Sequence, residues 1–265
     1  ASTTITVSPV PTAVAVTPAS ADLCVGSSIV LTASGGVNFS PATQEFIIGA
    51  GASTSSTNST GAALGPNPMQ NYYGGSKEQA LWRAAELTAA GLTAGSGITE
   101  ISINLAASGS TPLQGFRIKS QLTNLSVLSS TMVMTGWTTV KAPGSITPVT
   151  GWNKIALTTP IVWDGTSNLL LEFNYSNNNG GSGSSNSARF DANIGYVATA
   201  HYRADTQTEE AMNNATSASY TYSSRVQVRF GSGEELTPTY TWSPIEGLSA
   251  ATGSVVTASP DSTTT

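Results

Sequence analysis

Charge is scarce in this chain. Of 265 residues only 9% are Asp, Glu, Lys or Arg, against roughly 25% in ordinary globular proteins. Solubility therefore rests on Ser, Thr, Asn and Gly, not on ion pairs. The net charge is −5 and no Lys/Arg cluster occurs. That argues against a nucleic-acid partner, because phosphate binding needs concentrated cations. Cysteine appears once, at Cys24, so no internal disulfide forms. With Leu23 and Val25 on either side, Cys24 is expected to be a small buried hydrophobe. Histidine also appears once, at His201, beside Tyr202 and Arg203; it is expected on a strand surface. No apolar run reaches membrane length, so no membrane insertion is expected. The chain opens mid-pattern and is expected to be a piece of something longer.

Catalytic constellations are missing too. There is no His-Glu-x-x-His, no Gly-x-Ser-x-Gly and no Walker loop. The adjacent acids Glu209-Glu210 and Glu234-Glu235 are expected on solvated loops. A glycosidase pair would have to come from Glu86, Glu100, Asp164, Glu172 and Asp191, carboxylates far apart in sequence. The chain is read as a non-enzyme with no cofactor. Calcium takes six to eight oxygens. A single structural calcium stays open as an alternative, with Asp164, Glu172, Asp191 and Asp205 spread singly and none singled out as a ligand.

What is present is β pattern. Apolar residues alternate at Ile29 and Leu31, at Ile101, Ile103 and Leu105, at Phe116 and Ile118, and at Leu169, Leu171 and Phe173. Period two means one face of a strand. Further strands are expected at Glu45 to Ile48, Gln79 to Arg83, Thr131 to Val140, Trp152 to Leu157, Pro160 to Trp163, Ala188 to Phe190, Gly195 to Tyr202 and Ser224 to Phe230. Single helical turns are expected over Ala85 to Ala90, ended by Gly91, and over Thr208 to Asn213. Gly49 to Pro68 reads as a long loop and Asn177 to Ser187 as a polar hairpin loop. Short strands spaced by turn residues mean a sandwich or jelly roll. Most of the tryptophans and tyrosines sit at such alternations and are expected in the core. Tyr72-Tyr73, between Pro68 and Gly74-Gly75, is the exception and the candidate ligand contact.

Two outer segments read as halves of one small β-sandwich. Upstream are Cys24, Gly26, Ser27 and Leu31. Downstream are Tyr240, Trp242, Ser243, Pro244, Gly247, Leu248, Gly253, Val256, Pro260 and Thr263 to Thr265. In this order they resemble the immunoglobulin-like modules of very large surface proteins from Bacteroidetes. The residues between them are similar to a β-sandwich module of exported proteins from the same bacteria, through Glu86-Leu87-x-Ala89-Ala90-Gly91, Thr111-Pro112-Leu113, Thr150-Gly151-Trp152-Asn153 and Trp163-Asp164-Gly165-Thr166-Ser167-Asn168. The expected fold class is thus all-β: an Ig-like β-sandwich with a larger jelly-roll-like β-sandwich inserted into it. Residues 1–11 would continue a preceding repeat, 12–36 and 237–265 would form the split Ig-like domain, and 37–236 the insert. Gly35-Gly36 and Gly231 to Gly233 would be the hinges.

The resemblance implies type IX secretion and an extracellular, cell-surface location. It also implies a role as a repeat unit of a large adhesin or filament, of the kind used in gliding or attachment. Asp261-Ser262-Thr263 fits a short O-glycosylation signal at Ser262. Thr3, Ile5 and Val7 alternate as a strand, and the family pattern after Thr265 continues into a strand like it. They are expected to pair with a neighbouring repeat or another subunit. Surface glycans are the other candidate partner. The competing reading is a carbohydrate-binding module of a secreted polysaccharide-degrading protein.

Overall fold

The computed structural model describes residues 13–24, 26–55, 65–109, 111–181 and 186–262. The chain first runs through β1 (Ala15–Thr17), β2 (Ile29–Ser34), β3 (Asn38–Phe39), β4 (Gln44–Ile48), β5 (Ser53–Thr54) and β6 (Gly75–Trp82). It continues through α1 (Ala84–Ala89), β7 (Gly97–Ala107), β8 (Leu113–Thr123), β9 (Thr138–Ile146), β10 (Gly151–Val162) and β11 (Asn168–Ser176). Then come β12 (Ser187–Asp191), β13 (Thr199–Ala204), α2 (Glu209–Asn213), β14 (Tyr220–Tyr222), β15 (Arg225–Val226), β16 (Val228–Gly233), β17 (Glu235–Leu236) and β18 (Val255–Ala258). The fold is an all-β sandwich, as the alternation predicts.

Two antiparallel sheets face each other across the main core. One runs β14-β13-β6-β11-β8-β9. The other runs β15-β12-β7-β16-β4, with β10 also on β7 and β5 on β12. Leu169, Leu171, Phe173 and Tyr175 point into this core from β11, and Ile101, Ile103 and Leu105 meet them from β7. Trp82 packs edge-on against Phe230, with ring centroids 5.5 Å apart. Burying each such side chain stabilises the fold by roughly 1.5–3 kcal/mol, so the period-two pattern fixes which face turns inward.

The outer face of the first sheet is covered as well. Leu81 and Leu170 pack there against Leu128, Met132, Tyr196 and Ala198. Strand β6 consequently has no exposed residue, although its middle reads Ser76-Lys77-Glu78-Gln79. A covering layer also explains why Thr131 to Val140 is not one strand. Its first part makes a single bridge, Thr131 to Ser217, and lays Met132 over the sheet; ladder pairing starts at Thr138. Two expected strands merge into β10, with an irregularity between Ala156 and Ile161. The tract from Asn177 to Ser187 is no hairpin. It carries the chain from β11 in one sheet to β12 in the facing one. Both short helices form where expected, and Gly91 follows α1 with φ +102°.

A separate three-stranded sheet, β1-β2-β18, joins the two ends of the chain. Val255 to Ala258 pairs antiparallel with Thr32 to Ile29. Where the chain leaves and re-enters this region, β3 pairs with β17. Gly35 has φ +82°, and a Cβ there would meet the Ala13 carbonyl oxygen at 2.0 Å, so only glycine fits this exit. Gly231 to Gly233 behaves differently from the expected hinge. These residues are the last part of β16. A Cβ on Gly233 would lie 1.9 Å from the Ser40 carbonyl oxygen, so close backbone approach, not bending, requires glycine there.

Candidate functional site

The three-stranded sheet has two unlike faces. Val30 and Val255, on one face, are 53% and 55% exposed. The other face carries Val16, Ile29, Leu31, Val256 and Ala258, because residues two apart share a side and the register aligns Val256 with Leu31 and Ala258 with Ile29. This second face floors a cleft of about 640 Å³, walled by Trp242, Leu248 and Pro260. The Trp242 indole N–H donates to Gly253 O at 2.8 Å, and Tyr240 OH donates to Gly35 O at 2.7 Å. The first closes the downstream segment on itself, and the second ties it to the residue that follows β2. Asp22, Glu246 and Asp261 rim the cleft. No Lys or Arg can answer them locally, since all ten in the chain lie between Lys77 and Arg229.

Ser262 is exposed and lines this cleft. Thr3, Ile5 and Val7 lie outside the described residues. Tyr72 and Tyr73 are half-buried, with their ring centroids 5.5 Å apart and the planes tilted by 57°. The Arg203 guanidinium sits 4.4 Å from the Tyr73 centroid and covers one of its faces. The two rings therefore do not form a flat stacking platform. Cys24 is exposed, against expectation: it lies outside any strand, where alternation does not govern burial.

His201 is the second correction. It is fully buried, and its Nδ1 lies 2.9 Å from Glu78 Oε2. That same oxygen accepts the Asn67 N–H at 2.8 Å. The sheet register places His201 directly opposite Glu78, a pairing that no local sequence signal announces. Glu86 is held by Arg225 at 2.8 Å and by Tyr196 OH. Burial pushes the Glu86 carboxyl pKa up, but the Arg225 hydrogen bond and charge, with Tyr196 and the Arg83 N–H, outweigh it and hold it below the usual carboxylate value. Tyr196 itself is pushed up to about 12, chiefly by burial. Asp164 closes its turn by accepting from the Ser167 hydroxyl and from the Ser167 and Thr166 N–H groups, which lower its pKa to about 2. Asp191 accepts from Ala50 N and Gly51 N. Glu100 lies 3.6 Å from Lys154. The five acids from which a glycosidase pair would be drawn thus have separate partner sets.

The fifth of them, Glu172, is the most enclosed, at 1% exposure. Its Oε1 is 2.8 Å from Lys119 Nζ. Its Oε2 is 3.4 Å from Lys77 Nζ and accepts Gln79 Nε2 at 2.8 Å. These side chains project from β6, β8 and β11 onto the covered outer face. Lys77 Nζ also donates to Asn213 O at 2.7 Å and Ala215 O at 2.9 Å, which caps the end of α2. Lys119 Nζ also contacts Asn213 Oδ1. Arg117 ties the start of α2 through Glu209. Burial lowers the Lys77 pKa; the Glu172 charge opposes this and the Lys119 charge adds to it.

Among the described residues no group of three or more His, Cys, Asp or Glu could hold a metal ion. None of their helices is long and apolar enough to cross a membrane. No known protein family, curated protein or solved structure matches the chain.

Proposed function

We propose that the chain is a non-catalytic unit of a large bacterial surface adhesin or extracellular filament. In this reading the sheet built from both chain ends is an Ig-like stalk segment, and the larger sandwich is the displayed domain. The observation that carries the reading is the apolar face of the three-stranded sheet, left as an open cleft between Leu31 and Trp242. In a stalk, such a face and its neighbouring strand edge would be completed by an extended segment from the next repeat or subunit. Adhesion would come from multivalency, many weak sites on one fibre raising avidity without a tight individual contact. The scarcity of charge and the Thr-rich outer segments suit an exported surface protein.

Imaging of the full-length gene product by negative-stain electron microscopy tests this. A row of repeated beads with lateral lobes is the expected result. A single compact particle would sink the proposal. A glycan array probed with the 265-residue chain separates it from the carbohydrate-binding reading. Specific glycan binding that is lost on Tyr72→Ala would favour the latter.

A further inference from the structure

We propose that Lys119 and Asn213 become joined by a covalent amide bond between their side chains, formed by the protein itself with Glu172 as the proton relay. Three observations converge. Lys119 Nζ contacts Asn213 Oδ1, and that oxygen is one C=O bond, about 1.2 Å, from the carbonyl carbon Cγ. The same Nζ lies 2.8 Å from Glu172 Oε1, and Glu172 is 1% exposed. Asn213 is held in place from both ends of α2: Lys77 binds its backbone carbonyl and Arg117 binds Glu209. An amine, a carboxamide and an acid–base group are thus fixed together in a largely water-excluded layer, the arrangement in which proximity replaces an encounter.

The chemistry balances without any oxidant, reductant or co-reactant. Glu172 accepts one proton from the Lys119 ammonium, leaving a neutral amine and a neutral carboxyl group. The amine lone pair attacks Asn213 Cγ and forms the new C–N bond. The tetrahedral centre then collapses, and the Cγ–Nδ2 bond breaks with its electron pair going to nitrogen. Glu172 hands on its proton, together with the one shed by the attacking nitrogen, and the leaving group departs as ammonium. Glu172 is regenerated as the carboxylate. The protein loses one positive charge and the mass of one ammonia molecule.

Lys77 is a positioning residue in this scheme and not the nucleophile. Its Nζ donates to two backbone carbonyls, Asn213 O and Ala215 O, and to Met134 Sδ at 3.5 Å, so its three N–H groups are taken. Burial lowers its pKa, and the nearby Lys119 charge adds the smallest part of that shift. The new bond would fasten α2 to a central strand and close a loop spanning 94 positions. Restricting the unfolded chain in this way stabilises the fold, and it suits a unit that bears load.

The test is the mass of the purified 265-residue chain after prolonged incubation at neutral pH, measured under denaturing conditions, with the linked peptides mapped by tandem mass spectrometry. The expected result is a chain lighter by one ammonia, with the peptide containing Lys119 covalently attached to the one containing Asn213. Lys119→Arg keeps the cation and its contact with Glu172 but offers no free amine at neutral pH. Lys119→Arg and Glu172→Gln should both show the full mass, with a lower Tm and an unchanged far-ultraviolet circular dichroism spectrum. A wild-type chain of full mass overturns the proposal. A loss of ammonia that persists in Lys119→Arg also overturns it, because it would place the reaction at another asparagine. Mapping the link in the wild type keeps the proposal testable even if a variant fails to fold.

Discussion

The large sandwich and the three-stranded terminal sheet use the same alternation but finish it differently. In the sandwich, Leu169, Leu171 and Phe173 meet a facing sheet on one side, and Leu81 and Leu170 are roofed by loops on the other. In the terminal sheet, Val30 and Val255 face solvent, and Leu31 faces an open cleft. The first arrangement encloses even ionisable groups, each with partners: Glu78 with His201, Glu172 with two lysines, Arg225 with Glu86. The second holds three acids on a rim and no cation. Closure determines what chemistry a β layer can hold. Only a layer covered on both faces can enclose an amine, an amide and a carboxylate together.

Substitutions should separate the two regions. The largest effect is expected at Trp82, which is fully buried. Trp82→Ala should cost about 3–5 kcal/mol, read as a fall in the urea midpoint of the global transition. A cost below about 1 kcal/mol would mean the core is not where the fold is held. Next is Glu86→Ala, which strands Arg225 and Tyr196 and should cost about 2–3 kcal/mol. The same group gives a pH signature. Its folded-state pKa is lowered, so its contribution is full above its unfolded-state value of about 4.3 and is lost as pH falls through the folded value. Urea midpoints followed downward from neutral pH should show a shallower acid decline in Glu86→Gln than in wild type.

In the terminal sheet the effects should be smaller and local. Val256 is 1% exposed, and Val256→Ala should cost about 1–2 kcal/mol. This should appear in Trp242 fluorescence before the global transition. Val30→Thr, on the solvent face, should change stability by no more than about 0.5 kcal/mol. A larger loss would show that this face is covered in solution. Cys24, being exposed, should react with a thiol reagent in the native state at close to the rate of a free peptide. Protection of Cys24 would restore the buried reading that its neighbours suggest.

How much of this was legible depended on whether one face of a strand meets water. β7 and β8 were plain because Ile101 and Phe116 alternate with less apolar neighbours; β11, covered on both faces, was read from Leu169, Leu171 and Phe173 although Leu170 breaks the polar alternation. The pairing of β18 with β2 was anticipated through the resemblance of the two outer segments to halves of one module, not through any signal in the residues between them. β6 was ambiguous because both its faces are covered. Once Lys77 and Gln79 can be satisfied by loops, polarity no longer marks an outward position. The Glu78–His201 pair and the Lys119–Glu172–Asn213 cluster could not be read from the chain for a related reason. Each is created by strand register and by the docking of α2, between residues as far apart as 123 positions. Gly233 was misread because glycine serves bending and close approach equally well, and only the Ser40 carbonyl distinguishes them.

Native-state hydrogen exchange tests the contrast most directly, because it reads opening strand by strand. The account predicts that amides of β6, β7 and β11 exchange only through global unfolding, whereas those of β1 and β18 exchange orders of magnitude faster by local opening of the terminal sheet. Equal protection of β18 and β11 would contradict it, since it would make the terminal sheet as closed as the sandwich.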